Sequence, residues 1–315
     1  MKNDITANCP PTTFTLKEDE IASFLEEIYS ECNRRERVCR DPLAIVLRYN
    51  DVPDREVAGM VCSMLAFGSV DLILRACEKA LAPLGGHPAT MLDSLTDSDF
   101  QEFWGNFQYR FCFPYDMIGF LKAIQRARSE YGSLEALFLH GDDRSGTVAG
   151  AASKFVEALH AYAPFRENLL PSPNSGSACK RLFLFLRWMV RCDAVDPGGW
   201  TGVSASRLVV PLDLHMLRTC HDRLGFIPPR PQPHTPRHNQ GVPRGRKVGG
   251  KAEAGRSSAP YYPALPHYPA PTLRMALEVT RRFAEFSPED PVKYDFALTR
   301  PGIDPMPGDE AFQCL

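Results

Sequence analysis

The chain has 315 residues, 44% hydrophobic and 23% charged, with a formal net charge of -2 at pH 7. That length allows a sizeable core in one large domain or two lobes, and the near-neutral balance excludes a global field, so any nucleic-acid site must be a local patch. No apolar run approaches the ~20 residues that cross a bilayer, the N-terminus MKNDITANCPPTTFT lacks an apolar signal core, and ten scattered cysteines form no CxxC pair or iron–sulfur spacing; the expectation is a cytoplasmic monomer with no membrane, metal or cofactor.

Residues 1–14 read as a disordered N-terminus. Thr15-Leu16-Lys17-Glu18 has a capping-box pattern, and Ile21, Phe24, Leu25, Ile28 and Tyr29 follow at helical spacing. Asp41-Pro42 opens a short apolar segment. Asp54 is placed to cap the next helix, whose apolar face is Val57, Met60, Val61, Met64 and Leu65. Phe67-Gly68-Ser69 breaks the pattern, and a further helix carries Val70, Ile73, Leu74, Cys77 and Leu81 to a stop at Gly85-Gly86-His87-Pro88. Short helical pieces follow over 89–95 and 97–107, the second dense in aromatics that read as core, then helices over 116–131, 133–139 and 147–162. Strict alternation never persists; 203–210 comes nearest to a strand. The fold class is therefore all-α.

The most informative stretch runs from Gly176 to Asp213. A turn leads into Leu182 to Val190, apolar on nearly every face, as in a helix at the centre of a helical domain. Lys180 and Arg181 stand at its start, where the helix dipole disfavours cations; an anion docked on the same end, such as a phosphate, would offset the misfit, and simple solvation is the plainer alternative. Asp213, after Pro211, is placed as the N-cap of a helix ending near Gly225. Residues 228–271, rich in Pro, Gly, Arg and His, read as a disordered basic insertion, with seven arginines and lysines against the single acid Glu253. Such a tether adds sequence-independent nucleic-acid affinity, or only solubility. Helices over 272–286 and from Ser287 to Arg300-Pro301-Gly302 close the domain, so a single helical unit (15–227 and 272–303) is interrupted once and followed by a tail over 304–315.

Three segments, SACKRLFLFLRWMVR (177–191), VVPLDLH (209–215) and DPVKYDFALTRPGI (290–303), resemble the signature of a bacterial family classed as a domain of unknown function. The order of elements also resembles the helix-hairpin-helix DNA glycosylases of the endonuclease III type. Gly176 to Arg181 is similar to their hairpin, with Lys180 at the catalytic lysine, and Pro211-Leu212-Asp213-Leu214-His215 is similar to the stretch carrying their catalytic Asp. Met64 to Ser69 and Pro88 to Leu92 fall where that superfamily has a helix with a polar break and a Pro-Ala-Ala-Met-Leu turn. The sequence departs from the pattern in three ways. Ala178 replaces the second hairpin glycine, the Lys180–Asp213 interval is long, so that 192–209 is expected to loop out near the cleft, and the four-cysteine cluster motif is missing, with Cys314 alone in that region.

The resemblance implies a two-lobed glycosylase-like fold that binds DNA or RNA. Asp213 would stabilise an oxocarbenium-like transition state or orient water. Lys180 would form a Schiff base, with Arg181 beside it lowering its pKa. The turn at Gly176, Ser177 and Ala178, with Arg181, Arg187, Arg191, Tyr109, Arg110 and His215, would contact the nucleic acid, and Trp188 and Trp200 would line the base pocket. Most of Tyr109, Arg110, Trp188 and Trp200 read better as packing residues, and His215 and Asp295 as polar groups satisfied internally by each other, Arg187 or Arg191. An Asp213/His215 metal site has no further ligand pattern. A non-catalytic helical binding module and an enzyme for a nucleoside-like small molecule are the alternatives. A catalytic site needs Lys180 and Asp213 converging on one open cleft, whereas a module needs only a continuous basic face.

Overall fold

The computed structural model describes residues 16–227, 268–309 and 312, so the expected disorder over 1–14 and most of the 228–271 insertion lies outside the described residues. Among the described residues every regular element is helical, and only isolated bridges pair extended residues. The chain runs through α1 (Glu18–Cys32), α2 (Leu43–Val46), α3 (Val52–Met64), α4 (Val70–Leu81), α5 (Pro88–Ser94), α6 (Asp97–Trp104), α7 (Pro114–Tyr131), α8 (Leu134–Gly141) and α9 (Ala149–Tyr162), then α10 (Lys180–Val190), α11 (Leu214–Arg218), α12 (Leu273–Ala284) and α13 (Asp295–Ile303). No helix among them is long and apolar enough to cross a membrane.

Local chemistry sets most boundaries and shifts a few. Lys17, not Thr15, is the N-cap residue of α1, and its N–H donates to Glu20 Oε2 at 2.8 Å. Asp51 occupies the N-cap of α3; the Asp54 carboxylate instead accepts the Ala89 N–H at 2.9 Å and faces His87 Nδ1 at 3.3 Å, tying α3 to the start of α5. The stretch 203–210 forms no strand. Ser204 caps a single 3-10 turn (Ala205–Arg207), and the Val210 N–H donates to Thr280 Oγ1 of α12 at 3.0 Å, a partner that no neighbouring strand supplies.

α10 is the axis of the packing. It lies against α3, where a Cβ on Gly59 would stand 3.5 Å from Phe185 Cδ2, so the two backbones run close. Leu182, Phe183, Phe185, Leu186, Trp188 and Met189 are all within 1% of complete burial, which matches the apolar pattern on nearly every face. α7, α8 and α9 pack on one another, and α13 packs on α1 and α11. Gly119 of α7 marks a tight crossing, since a Cβ there would stand 2.1 Å from the Pro164 carbonyl oxygen. Gly119→Ala is expected to lower stability by about 3 kcal/mol through overpacking against backbone, seen as a lower urea midpoint. An unchanged midpoint would show that the crossing is looser than described.

The long interval after α10 does not loop out. Val195 and Asp196 are fully buried, and the Gly198 and Trp200 N–H groups donate to the Trp188 and Met189 carbonyls at 3.0 and 2.8 Å. The segment folds back along the end of α10 because Asp193 and Asp196 neutralise the cations there. Six of the eight described cysteines are buried and all are free, in keeping with small core residues.

Candidate active site

The start of α10 is pinned from both sides. Gly176 turns the chain at φ +79°, a left-handed conformation that suits glycine, and its carbonyl accepts the Leu273 N–H at 2.9 Å. Cys179, the N-cap residue, is also left-handed at φ +44°, a conformation costing a non-glycine residue roughly 1–2 kcal/mol; its buried thiol donates to the Pro171 carbonyl at 3.2 Å. Gly176 is exposed, Ser177 is half-buried and bridges to Thr272, and Ala178 is buried.

Lys180 follows directly, and its Nζ lies 2.9 Å from Asp213 Oδ2. Asp213 is the N-cap of α11: Oδ1 accepts the His215 and Met216 N–H groups, each at 2.9 Å. One carboxylate oxygen therefore holds the helix while the other meets the amine. Both side chains line one cleft of about 500 Å³, together with Phe67, Leu184, Leu214 and His215. The pair is accessible, with Lys180 34% and Asp213 20% exposed. His215 is half exposed and its Nδ1 stands 3.8 Å from Asp213 Oδ2.

Burial acts to raise the Asp213 carboxyl, but the Lys180 ammonium and the hydrogen bonds from His215 and Met216 outweigh it and hold the group well below the usual carboxylate range. A depressed folded pKa contributes stability that is present above the unfolded value, near 3.9, and is lost as pH falls below it towards the folded value. Asp213→Asn is therefore expected to flatten the loss of stability below about pH 4. An acid limb as steep as that of the wild type, in denaturant melts at stepped pH, would mean that the pair carries no such linkage.

Several expected contacts fall elsewhere. Arg181 turns inward: its guanidinium donates to the Met64 and Asn168 carbonyls, both at 2.6 Å, and lies 5.1 Å from the Phe67 ring centre. With no carboxylate partner among the described residues, burial pulls its pKa down to about 10. Arg187 and Arg191 sit in a buried ion-pair cluster, and Arg187 also reaches the wall of the cleft. They are 2% and 4% exposed; Arg187 pairs with Asp196 and Asp295, and Arg191 with Asp193, Asp196 and Asp290. Burial opposes the charge on Arg187, but Asp196 and Asp295 overcome it and push its pKa up. Trp188 is completely buried, and Trp200, 3% exposed, donates its indole N–H to Glu56 Oε1 at 2.8 Å; neither lines the cleft. Tyr109 is buried, its hydroxyl donating to the Phe67 carbonyl, whereas Arg110 is exposed beside Gly68 of the cleft wall. Asp295 pairs with Arg187, one of the internal partners that the sequence offers for it.

The cleft also holds Asp295, and Arg40, Asp41, Ser69 and Arg300, whose role the sequence leaves unread. The only signal was polarity within an apolar pattern, visible at Asp295 but not at Arg300, which looked like a helix end. Asp51, Asp54 and His87 bring possible metal-ligand atoms within 4.8 Å of one another, but none of the three lines the cleft.

Fold and site together define an all-helical protein with an open cleft that displays a lysine–aspartate pair. The chain belongs to the family described as "Protein of unknown function (DUF2400)", whose model matches residues 41–234 and 265–304 and so includes Lys180 and Asp213. Neither a curated protein nor a solved structure matches the chain.

Proposed function

We propose that the chain is a nucleic-acid-binding protein of DNA-glycosylase type that breaks the bond between a modified base and its sugar. The observation that carries this reading is the Lys180–Asp213 contact of 2.9 Å on the wall of one accessible cleft. An Asp213 held far below the usual carboxylate range is an anion at every working pH. It suits electrostatic stabilisation of an oxocarbenium-like transition state rather than proton donation. Lys180, once it has lost a proton, can attack C1′ as the bond to the base breaks; ring opening then leaves a Schiff base on Nζ. The exposed turn at Gly176 acts as the hairpin that grips the backbone, within the two-lobed arrangement of that superfamily.

The binding-module alternative needs a continuous basic face, and Arg181, Arg187 and Arg191 all turn inward. The small-substrate alternative is favoured by one observation: about 500 Å³ falls within the usual range of small-ligand pockets. Free-base release from a panel of modified duplexes and from free nucleosides, followed by chromatography, separates the readings. The account expects release from at least one duplex by the wild type and none by Lys180→Ala, Asp213→Asn double variants. Release from nucleosides alone would favour the small substrate, and no release from any substrate would remove the enzyme reading.

A further inference from the structure

The wall of the cleft carries a second polar group that the lysine–aspartate chemistry does not use. Arg300 is 4% exposed and engages one end of its guanidinium: Nη2 lies 3.1 Å from Asp41 Oδ2, whereas Nε and Nη1 are buried with no hydrogen-bond partner among the described residues. Buried donors left in this state are costly, and charged ones more so. The guanidinium carbon sits 4.5 Å from the Phe296 ring centre, which positions the group without satisfying those donors.

The same wall includes the start of α4. Ser69, its N-cap residue, is exposed and its hydroxyl makes no capping bond, so the first N–H groups and the positive end of a twelve-residue helix are left for another acceptor. The approach to this helix is fixed. Gly68 sits at φ +111°, and a Cβ there would stand 2.9 Å from Tyr109 Oη. Arg40, half exposed, reaches the same region, with Nη2 3.2 Å from Asp71 Oδ1 and Nε 3.9 Å from Asp304 Oδ1. The carboxylates beside these groups, Asp41, Asp71 and Asp304, are thus each within reach of a guanidinium, and Asp213 and Asp295 of the same cleft pair with Lys180 and Arg187.

We infer that Arg300 and the uncapped start of α4 form a phosphate subsite, which makes the ligand of the cleft a phosphorylated compound. A phosphate oxygen would satisfy the free Arg300 donors through a charge-assisted bond, and others would take the helix N–H groups. Identifying that ligand as a nucleotide rests on the glycosidic reading above; the anion subsite does not.

The test is titration of the full chain with inorganic phosphate, and with thymidine 5′-monophosphate against thymidine, using Arg300→Gln, Ser69→Asp and Lys180→Ala variants. Aspartate is as good an N-cap as serine, so Ser69→Asp keeps the helix while placing a negative charge where the phosphate would sit; it decides the matter if Arg300→Gln fails to fold. Saturable phosphate binding is expected in the wild type and in Lys180→Ala, tighter binding of the nucleotide than of the nucleoside, and about tenfold weaker binding in the other two variants. No saturable binding by the wild type, binding unchanged in both Arg300→Gln and Ser69→Asp, or a loss confined to Lys180→Ala would overturn the subsite. Phosphate binding that persists when no base release is found would sink the glycosidic reading and leave the subsite standing.

Discussion

Asp196→Ala is expected to destabilise the protein by roughly 3–5 kcal/mol, a large share of the stability of an ordinary domain. Asp196 is fully buried, and its carboxylate accepts Arg187 Nε and Nη2 at 3.2 and 3.1 Å while also pairing with Arg191. Removing it leaves two buried guanidinium groups facing Asp295, Asp193 and Asp290 in a geometry built around the missing acid. The cost comes from leaving the Arg187 Nε and Nη2 donors buried without their acceptor, not from losing an attraction: a buried pair replaced as a whole by well-packed apolar groups is often neutral. The exposed pair Arg34–Glu31, with both side chains 53% exposed, sets the contrast, since breaking it should shift stability by under about 1 kcal/mol. Urea melts of the two variants side by side make the comparison. Similar midpoints would mean that the cluster around α10 is solvated and not the keystone described.

The second large effect is on chemistry. Asp213→Asn is expected to lower base release by about 10²-fold or more, the scale of removing one preorganised electrostatic group from a transition state, and to forfeit at pH 7 the stability that the depressed carboxyl contributes. Asparagine caps a helix as well as aspartate does, so the bonds from His215 and Met216 survive. What is lost is the negative charge beside Lys180. A variant that releases base at the wild-type rate would show that Asp213 serves only as a cap.

The helices were legible because their signals are local. The apolar spacing from Val70 to Leu81 gives α4, which a 3-10 turn (Ala82–Leu84) carries on to the expected stop at Gly85, and Asp213 reads as an N-cap from its own neighbourhood. The residues that sequence reasoning misplaced depend on distant partners. Arg187 and Arg191 look like solvent-seeking cations until Asp295, 108 positions further on, and Asp290 meet them in the core. The length of the Lys180–Asp213 interval made 192–209 look like a loop beside the cleft, although Asp193 and Asp196 within it are what bury those cations. Arg300 was unreadable for a related reason, because half-satisfied donors are a property of three-dimensional neighbours and leave no pattern along the chain.

The account depends most on Lys180 meeting a sugar in the cleft beside Asp213. Borohydride reduction of the protein mixed with a duplex bearing an abasic site, followed by peptide mass mapping, reads that meeting directly. A covalent adduct on Lys180 that disappears in Lys180→Ala is the predicted result. An adduct on another lysine, or one of equal yield in Lys180→Ala, would contradict it.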